Sequence, residues 1–150
     1  MRGRQHLLEE LSRELTLISR HQLVTAMRGL LERSAYLMLN RIDVTGPMTA
    51  RELAEALQLE ISTVTRQVAA MLREDLVERI PDPAGGLARR LRITPTGATR
   101  LTADREHYRT GLATVVTDWP DTKCTDLYHL LRALNERIEA LQNTPWPRNP

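Results

Sequence analysis

The sequence predicts a mainly α-helical protein in which a helix-turn-helix is followed by a two-stranded β ribbon. Three observations carry this. Phe is absent and Leu dominates the apolar residues, which fall in stretches of helical period. Two short periodic stretches, residues 49–57 and 61–72, are joined by a turn of a few residues, the pattern of two helices in a tight pair. Two β-favouring runs then follow, LVERI (76–80) and RRLRI (89–93), around a loop rich in Pro and Gly.

At 150 residues the chain fits one domain, and a domain of that length buries about 70% of its unfolded surface. Residues 5–28 place Leu8, Leu11, Leu15, Ile18, Leu23 and Met27 on one face of a long amphipathic helix, with Gly29 as its breaker. The second helix, LERSAYLMLNRI, packs Ala35, Leu37, Met38, Leu39 and Ile42 and ends before the turn at Gly46-Pro47. In TARELAEAL, Thr49 followed by Glu52 is a capping box, and Leu53, Ala54 and Leu57 form the buried side of a third helix.

After a turn at Gln58-Leu59 the fourth helix begins, EISTVTRQVAAMLR, with Ile61, Val64, Val68, Met71 and Leu72 as its buried stripe. PDPAGGLA closes the hairpin between the two strands. Thr94-Pro95 supplies an N-cap and a first-turn proline for a fifth helix that runs towards Asp118. Trp119-Pro120 turns the chain into a last helix, where Leu127, Leu131, Leu134, Ile138 and Leu141 keep a heptad-like spacing. Residues 144–150, TPWPRNP, hold three prolines and read as a flexible tail.

Composition narrows the function. The formal charge is only +2, but Lys123 is the single lysine among 21 basic residues, and arginine suits two-pronged contacts to phosphate or guanine. From Pro83 to Ala103 stand Arg89, Arg90, Arg92 and Arg100 with no acidic residue. One cysteine, Cys124, rules out an internal disulfide and fits a reducing cytosol. No apolar run approaches a membrane span and the N-terminal stretch lacks a signal peptide's apolar core, so a cytoplasmic protein is expected. His6, His21, His107 and His129 have no metal-ligand spacing, and neither a metal nor a cofactor is expected. Catalysis is rejected as well: there is no nucleophile elbow and no phosphate-binding glycine loop. Cys124 and His129 lie five apart, on different helix faces.

The fourth helix sets Ser62, Thr63, Thr65, Arg66 and Gln67 between its apolar positions, a face of hydroxyls, an amide and one cation. GPMTARELAEAL, STVTRQVAAMLREDLVERIPDP and RITPTG, in that order, resemble the MarR family of winged-helix transcriptional regulators over about residues 34–100. The resemblance implies a winged helix-turn-helix lobe at 34–100, flanked by dimerisation helices at 5–28 and 95–142. It implies a homodimer that binds double-stranded DNA at a pseudo-palindromic operator, acting as a repressor. It also implies a small-molecule effector, aromatic or phenolic. Tyr36, His21, Arg20 and Arg41 are candidate wall residues for such a ligand, with no site assigned.

This chain departs from the family pattern in three places. Gln58 stands where a glycine is usual, Glu60-Ile61 replaces the common Asp-Pro or Ser-Pro helix start, and Gly86 and Leu87 occupy the wing tip where an arginine is usual. In the reading head so implied, Arg66 is the candidate for a guanine edge or a phosphate and Thr63 and Thr65 for bases or backbone, with Ser62 and Gln67 beside them. Arg89, Arg90 and Arg92 are the wing's candidates for phosphate or the minor groove. The competing reading is a winged-helix module that binds another protein, and salt-sensitive binding to duplex DNA separates the two.

Overall fold

A computed structural model of the protein describes residues 2–20 and 31–148, with side chains described from Gly3 to Ser19 and from Leu31 onward. In chain order these form α1 (Arg2–Arg20), α2 (Arg33–Thr45), α3 (Ala50–Leu57), α4 (Ile61–Arg73), β1 (Val77–Ile80), β2 (Arg90–Ile93), α5 (Pro95–Val115) and α6 (Asp121–Gln142). The expected helix over 5–28 is thus seen to Arg20. Its remainder, with Gly29 and His21, lies outside the described residues.

The core sits between α2 and the helix-turn-helix. Ala35, Met38, Leu39 and Ile42 of α2 meet Leu53 and Ala54 of α3, Val64, Val68 and Met71 of α4, and Leu76, Val77, Leu91 and Leu101 behind them. Leu37, expected in this stripe, is 41% exposed instead, because it lies on the side of α2 turned away from α3 and α4. Two junctions hold the lobe's shape. α3 opens on its capping box, in which Thr49 Oγ1 accepts from Glu52 N–H at 3.1 Å and Glu52 Oε2 accepts from Thr49 N–H at 2.9 Å.

At the other junction Thr94 caps α5 by accepting from Gly97 N–H at 3.0 Å, with Pro95 as the first helical residue. Gly97 is obligatory there, since a Cβ would stand 2.0 Å from the Leu76 carbonyl oxygen. The helix start is therefore pressed onto the chain leaving α4.

β1 and β2 pair antiparallel from Val77↔Ile93 to Ile80↔Arg90. Met48 adds a bridge to Leu91, with N–H to carbonyl distances of 3.2 and 2.7 Å, so the ribbon is tied at its base to the α2–α3 connection. α5 ends at Val115, short of the expected Asp118.

Outside the lobe many apolar residues lie exposed among the described residues. Leu7, Leu8, Leu11, Leu15 and Ile18 of α1 are exposed, as are Leu131, Leu134, Ile138 and Leu141 of α6, which buries none of its residues. The end of the chain also departs from expectation. Residues 144–148 are not a free tail but are held against Arg41 of α2 and Glu139 of α6. No helix among the described residues is long and apolar enough to cross a membrane.

Candidate nucleic-acid interface

The turn between α3 and α4 presents the proposed reading face. Gln58 takes the left-handed conformation, φ 53° and ψ 44°, that a glycine would adopt without strain. Its N–H reaches the Glu55 carbonyl at 3.3 Å and the Leu59 N–H reaches the Ala54 carbonyl at 3.0 Å, the paired bonds of a Schellman ending. The Gln58 side-chain amide adds a bond of its own to the Glu55 carbonyl at 3.1 Å. The missing glycine is replaced by a residue that anchors itself.

Glu60 then enters α4 in extended conformation without a side-chain cap bond. The first N–H groups of α4 therefore point outward uncapped, the end of a helix that favours anions. Val64, Val68 and Met71 are buried under it, and 3.6-residue geometry turns Ser62, Thr65 and Arg66 to solvent, with Thr63 and Gln67 half-buried at the edges. These five side chains share the N-terminal half of one helix face. The Thr65 hydroxyl donates to the Ile61 carbonyl at 2.8 Å, leaving its lone pairs and its methyl outward. Arg66 is exposed, and its guanidinium makes no hydrogen bond or ion pair with the described residues.

Ile61 corrects the expected apolar stripe. It is 46% exposed, because it sits at the first turn, beyond the reach of α3. With Leu59 it forms an apolar rim at the head of α4. The helical period had placed it inside; only the position of α3 shows that nothing covers it.

The wing is built differently. Arg90, read as an outward cation, is half-buried and fully engaged. Its Nε donates to Asp82 Oδ1 at 3.1 Å, Nη1 to Glu52 Oε2 at 2.9 Å and to the Pro47 carbonyl at 3.0 Å, and Nη2 to Glu52 Oε1 at 3.2 Å. The Glu52 that closes the α3 capping box thus also receives the wing arginine.

Asp82 in turn accepts from Ala84 N–H at 3.0 Å, which shapes the loop towards Gly85, at φ 81°. That backbone bond, then Arg90, holds the Asp82 carboxyl below its ordinary pKa, and Asp82 and Glu52 together raise Arg90 above its own. This geometry removes Arg90 from the set of cations free for phosphate. Arg92 is exposed but paired with Glu78 at 2.8 Å across the ribbon. Arg89 is exposed with no partner among the described residues, and Leu87 stands fully exposed at the tip.

Among the described residues no cluster of three or more His, Cys, Asp or Glu side chains could hold a metal. Of the candidate effector walls, Arg41 is engaged by the chain's end, Tyr36 stacks on Tyr108 with ring centroids 4.5 Å apart, and His21 and the Arg20 side chain lie outside the described residues. Cys124 is half-buried in a groove of about 340 Å³ between α5 and α6, beside Leu112, Leu127 and Leu131.

Comparison with known proteins agrees with this architecture. Residues 31–86 match the MarR family. Over 108 residues the chain is 35% identical to the uncharacterized HTH-type transcriptional regulator YxaD of Bacillus subtilis (strain 168), covering 72% of this chain and 76% of that protein. Its fold is similar to that of a MarR family protein from Bacillus stearothermophilus, with a TM-score of 0.76, 22% identity and coverage of 92% of this chain and 97% of that one. It is also similar to the PcaV transcriptional regulator of Streptomyces coelicolor, solved with its natural ligand, at a TM-score of 0.62, 20% identity and coverage of 83% and 89%. A helix-turn-helix with a paired wing, the match across the lobe and the identity to YxaD lead to one conclusion: the chain belongs to the MarR family of winged-helix, DNA-binding transcriptional regulators.

Proposed function

We propose that this regulator binds a pseudo-palindromic operator as a homodimer and reads each half-site with the N-terminal half of α4. The observation that carries the reading is the face of Ser62, Thr63, Thr65, Arg66 and Gln67. It lies opposite a buried stripe, and Arg66 is unpaired among the described residues. A helix fits the major groove, where Arg suits guanine, Gln suits adenine, and hydroxyls serve bases or phosphates. Ile61, exposed at the head of the same face, suits a thymine methyl. From the wing, Arg89, unpaired among the described residues, is a candidate cation for a phosphate or the minor groove, and Arg92 must first exchange Glu78 for DNA.

The dimer reading is supported by the exposed apolar faces of α1 and α6 among the described residues, since large exposed apolar patches mark interaction sites. Two lobes so joined would meet half-sites about one helical turn, ~10 bp, apart. The regulator acts in the cytoplasm as a repressor, released by an aromatic or phenolic effector. An effector of this kind works only through unequal affinity for the DNA-bound and released states.

The deciding experiment is fluorescence anisotropy on duplex DNA from upstream of the protein's own gene, at several salt concentrations, with an unrelated duplex beside it. Wild type should bind the upstream duplex selectively, with affinity that falls steeply as salt rises. Equal, weak binding of both duplexes would refute the operator reading for that region.

A further inference from the structure

The last residues of the chain engage two parts of the molecule at once. Asn143 ends α6 in the left-handed conformation, φ 54°, and turns the chain back. The Pro145 carbonyl then accepts from Arg41 Nη1 at 3.0 Å, and the Trp146 ring lies under the Arg41 guanidinium, 5.2 Å from its centroid, within the range of a cation–π contact. Trp146 N–H donates to Glu139 Oε2 at 3.0 Å, and Arg148 forks onto both oxygens of the same carboxylate while its Nη1 also donates to the Trp146 carbonyl.

Arg41 belongs to α2, the helix at the centre of the DNA-binding lobe, whereas Glu139 lies near the end of α6. The lobe is joined to α6 along the chain only through α5 and the turn after it. Arg105 of α5 donates to Asn40 and Asp43 of α2, and Tyr108 stacks on Tyr36, so α5 moves with the lobe. The freedom left along the chain is a pivot at the turn between α5 and α6. A second attachment, from the far end of α6, removes that freedom.

We propose that residues 144–148 are a clamp that fixes the angle of each DNA-binding lobe against α6, with Arg41, Glu139 and Trp146 as positioning residues for half-site spacing. The inference rests on the dimeric, operator-binding reading for its functional meaning. The clamp's chemistry suits a permanent brace. Pro145 and Pro147 restrict the unbound segment, which reduces the entropy lost on docking. Burial lowers the Arg41 pKa while the nearby Glu139 charge opposes that, and the Arg148 fork holds Glu139 at about 2. The Glu139 carboxylate therefore stays charged at neutral pH. Arg41 Nε is buried without a hydrogen-bond partner among the described residues, so the guanidinium is held by the Pro145 carbonyl, the Trp146 ring and the nearby Glu139 charge.

Two measurements on the full chain test this. A spin label at Glu55→Cys on α3, in a Cys124→Ser background, reports the distance between the two lobes of a dimer without DNA. Trp146→Ala should broaden that distribution, and Trp146→Phe, which restores a ring, should narrow it again. A chain ended after Asn143 should behave as Trp146→Ala does. In parallel, operator duplexes whose half-site separation is changed by one or two base pairs should be discriminated by the wild type. Trp146→Ala should lose that discrimination and bind the best duplex roughly tenfold more weakly, as a lobe that must find its angle. Equal distance distributions in wild type and Trp146→Ala would overturn the clamp. Broadening in Trp146→Ala, with no operator binding even by wild type, would uphold the clamp and refute the operator reading instead.

Discussion

On α4, Arg66 is exposed with nothing among the described residues to hold it, whereas on β2, Arg90 is tied to Glu52, Asp82 and the Pro47 carbonyl, and Arg92 to Glu78. The supports of the two regions are also opposite. α4 is held by Val64, Val68 and Met71 in the core and by backbone-bonded endings at Gln58 and Asp75. The wing is a four-residue strand pair whose loop is anchored chiefly by ion pairs at its base. A reading helix needs its polar groups free and its position fixed, and burial fixes position without using them. A short ribbon has little apolar surface to bury, so its arginines supply the anchorage and fewer remain for DNA.

The largest effect on binding is expected from Arg66→Ala. Loss of a base-reading arginine costs ~1–3 kcal/mol and relaxes preference at one position, so anisotropy titrations against operators varied base by base should show both changes. The melting temperature should not move, because Arg66 is exposed and makes no hydrogen bond or ion pair among the described residues. If Arg66→Ala weakened all duplexes equally, the residue would be a phosphate contact and the contrast with the wing would narrow.

Arg90→Ala should do the reverse. It leaves Glu52 and Asp82 facing each other without a cation, so the melting temperature should fall and the amides of β1 and β2 should exchange faster while those of α4 do not. High salt should imitate the variant, since at 1 M the screening length is about 3 Å. Acid should too. The folded Asp82 carboxyl is depressed below its ordinary 3.8, so its contribution is present above that value and is lost as pH falls through the lowered one. Arg90→Ala, lacking much of the cause of that depression, should be less sensitive to the same acid titration. Arg89→Ala should have a smaller consequence, a uniform weakening across sequences with the salt slope lowered by about one unit.

What the sequence revealed of these two regions follows the range of the interactions. The capping box of Thr49 and Glu52 and the Thr94-Pro95 start are local, and short spacing rules find them. The polar face of α4 was legible because helical period alone separates it from Val64, Val68 and Met71. Arg90 looked like an outward cation because strand alternation knows nothing of Glu52, far back in the chain. The same limit hid Met48 beside Leu91. It also hid the docked end of the chain, where three prolines suggested fraying while the decisive partner was Arg41. Ile61 shows the limit from the other side: a period says which way a residue points, not whether anything covers it.

The smallest effect belongs to the turn that places α4. A non-glycine residue in the left-handed region costs about 1–2 kcal/mol, and Gln58→Gly would relieve that strain. Against this, glycine adds about 0.5–1 kcal/mol of unfolded-chain entropy, and the side-chain bond to the Glu55 carbonyl is lost. The terms nearly cancel, so Gln58→Gly should shift thermal stability little and leave operator affinity unchanged. Gln58→Val keeps the strain, adds a β-branch that fits this region poorly and also loses the bond, so it should be plainly destabilised in the same melt. If both variants melted like wild type, the backbone of this turn would not be what fixes α4. Burial of Val64, Val68 and Met71 would then account for its position alone.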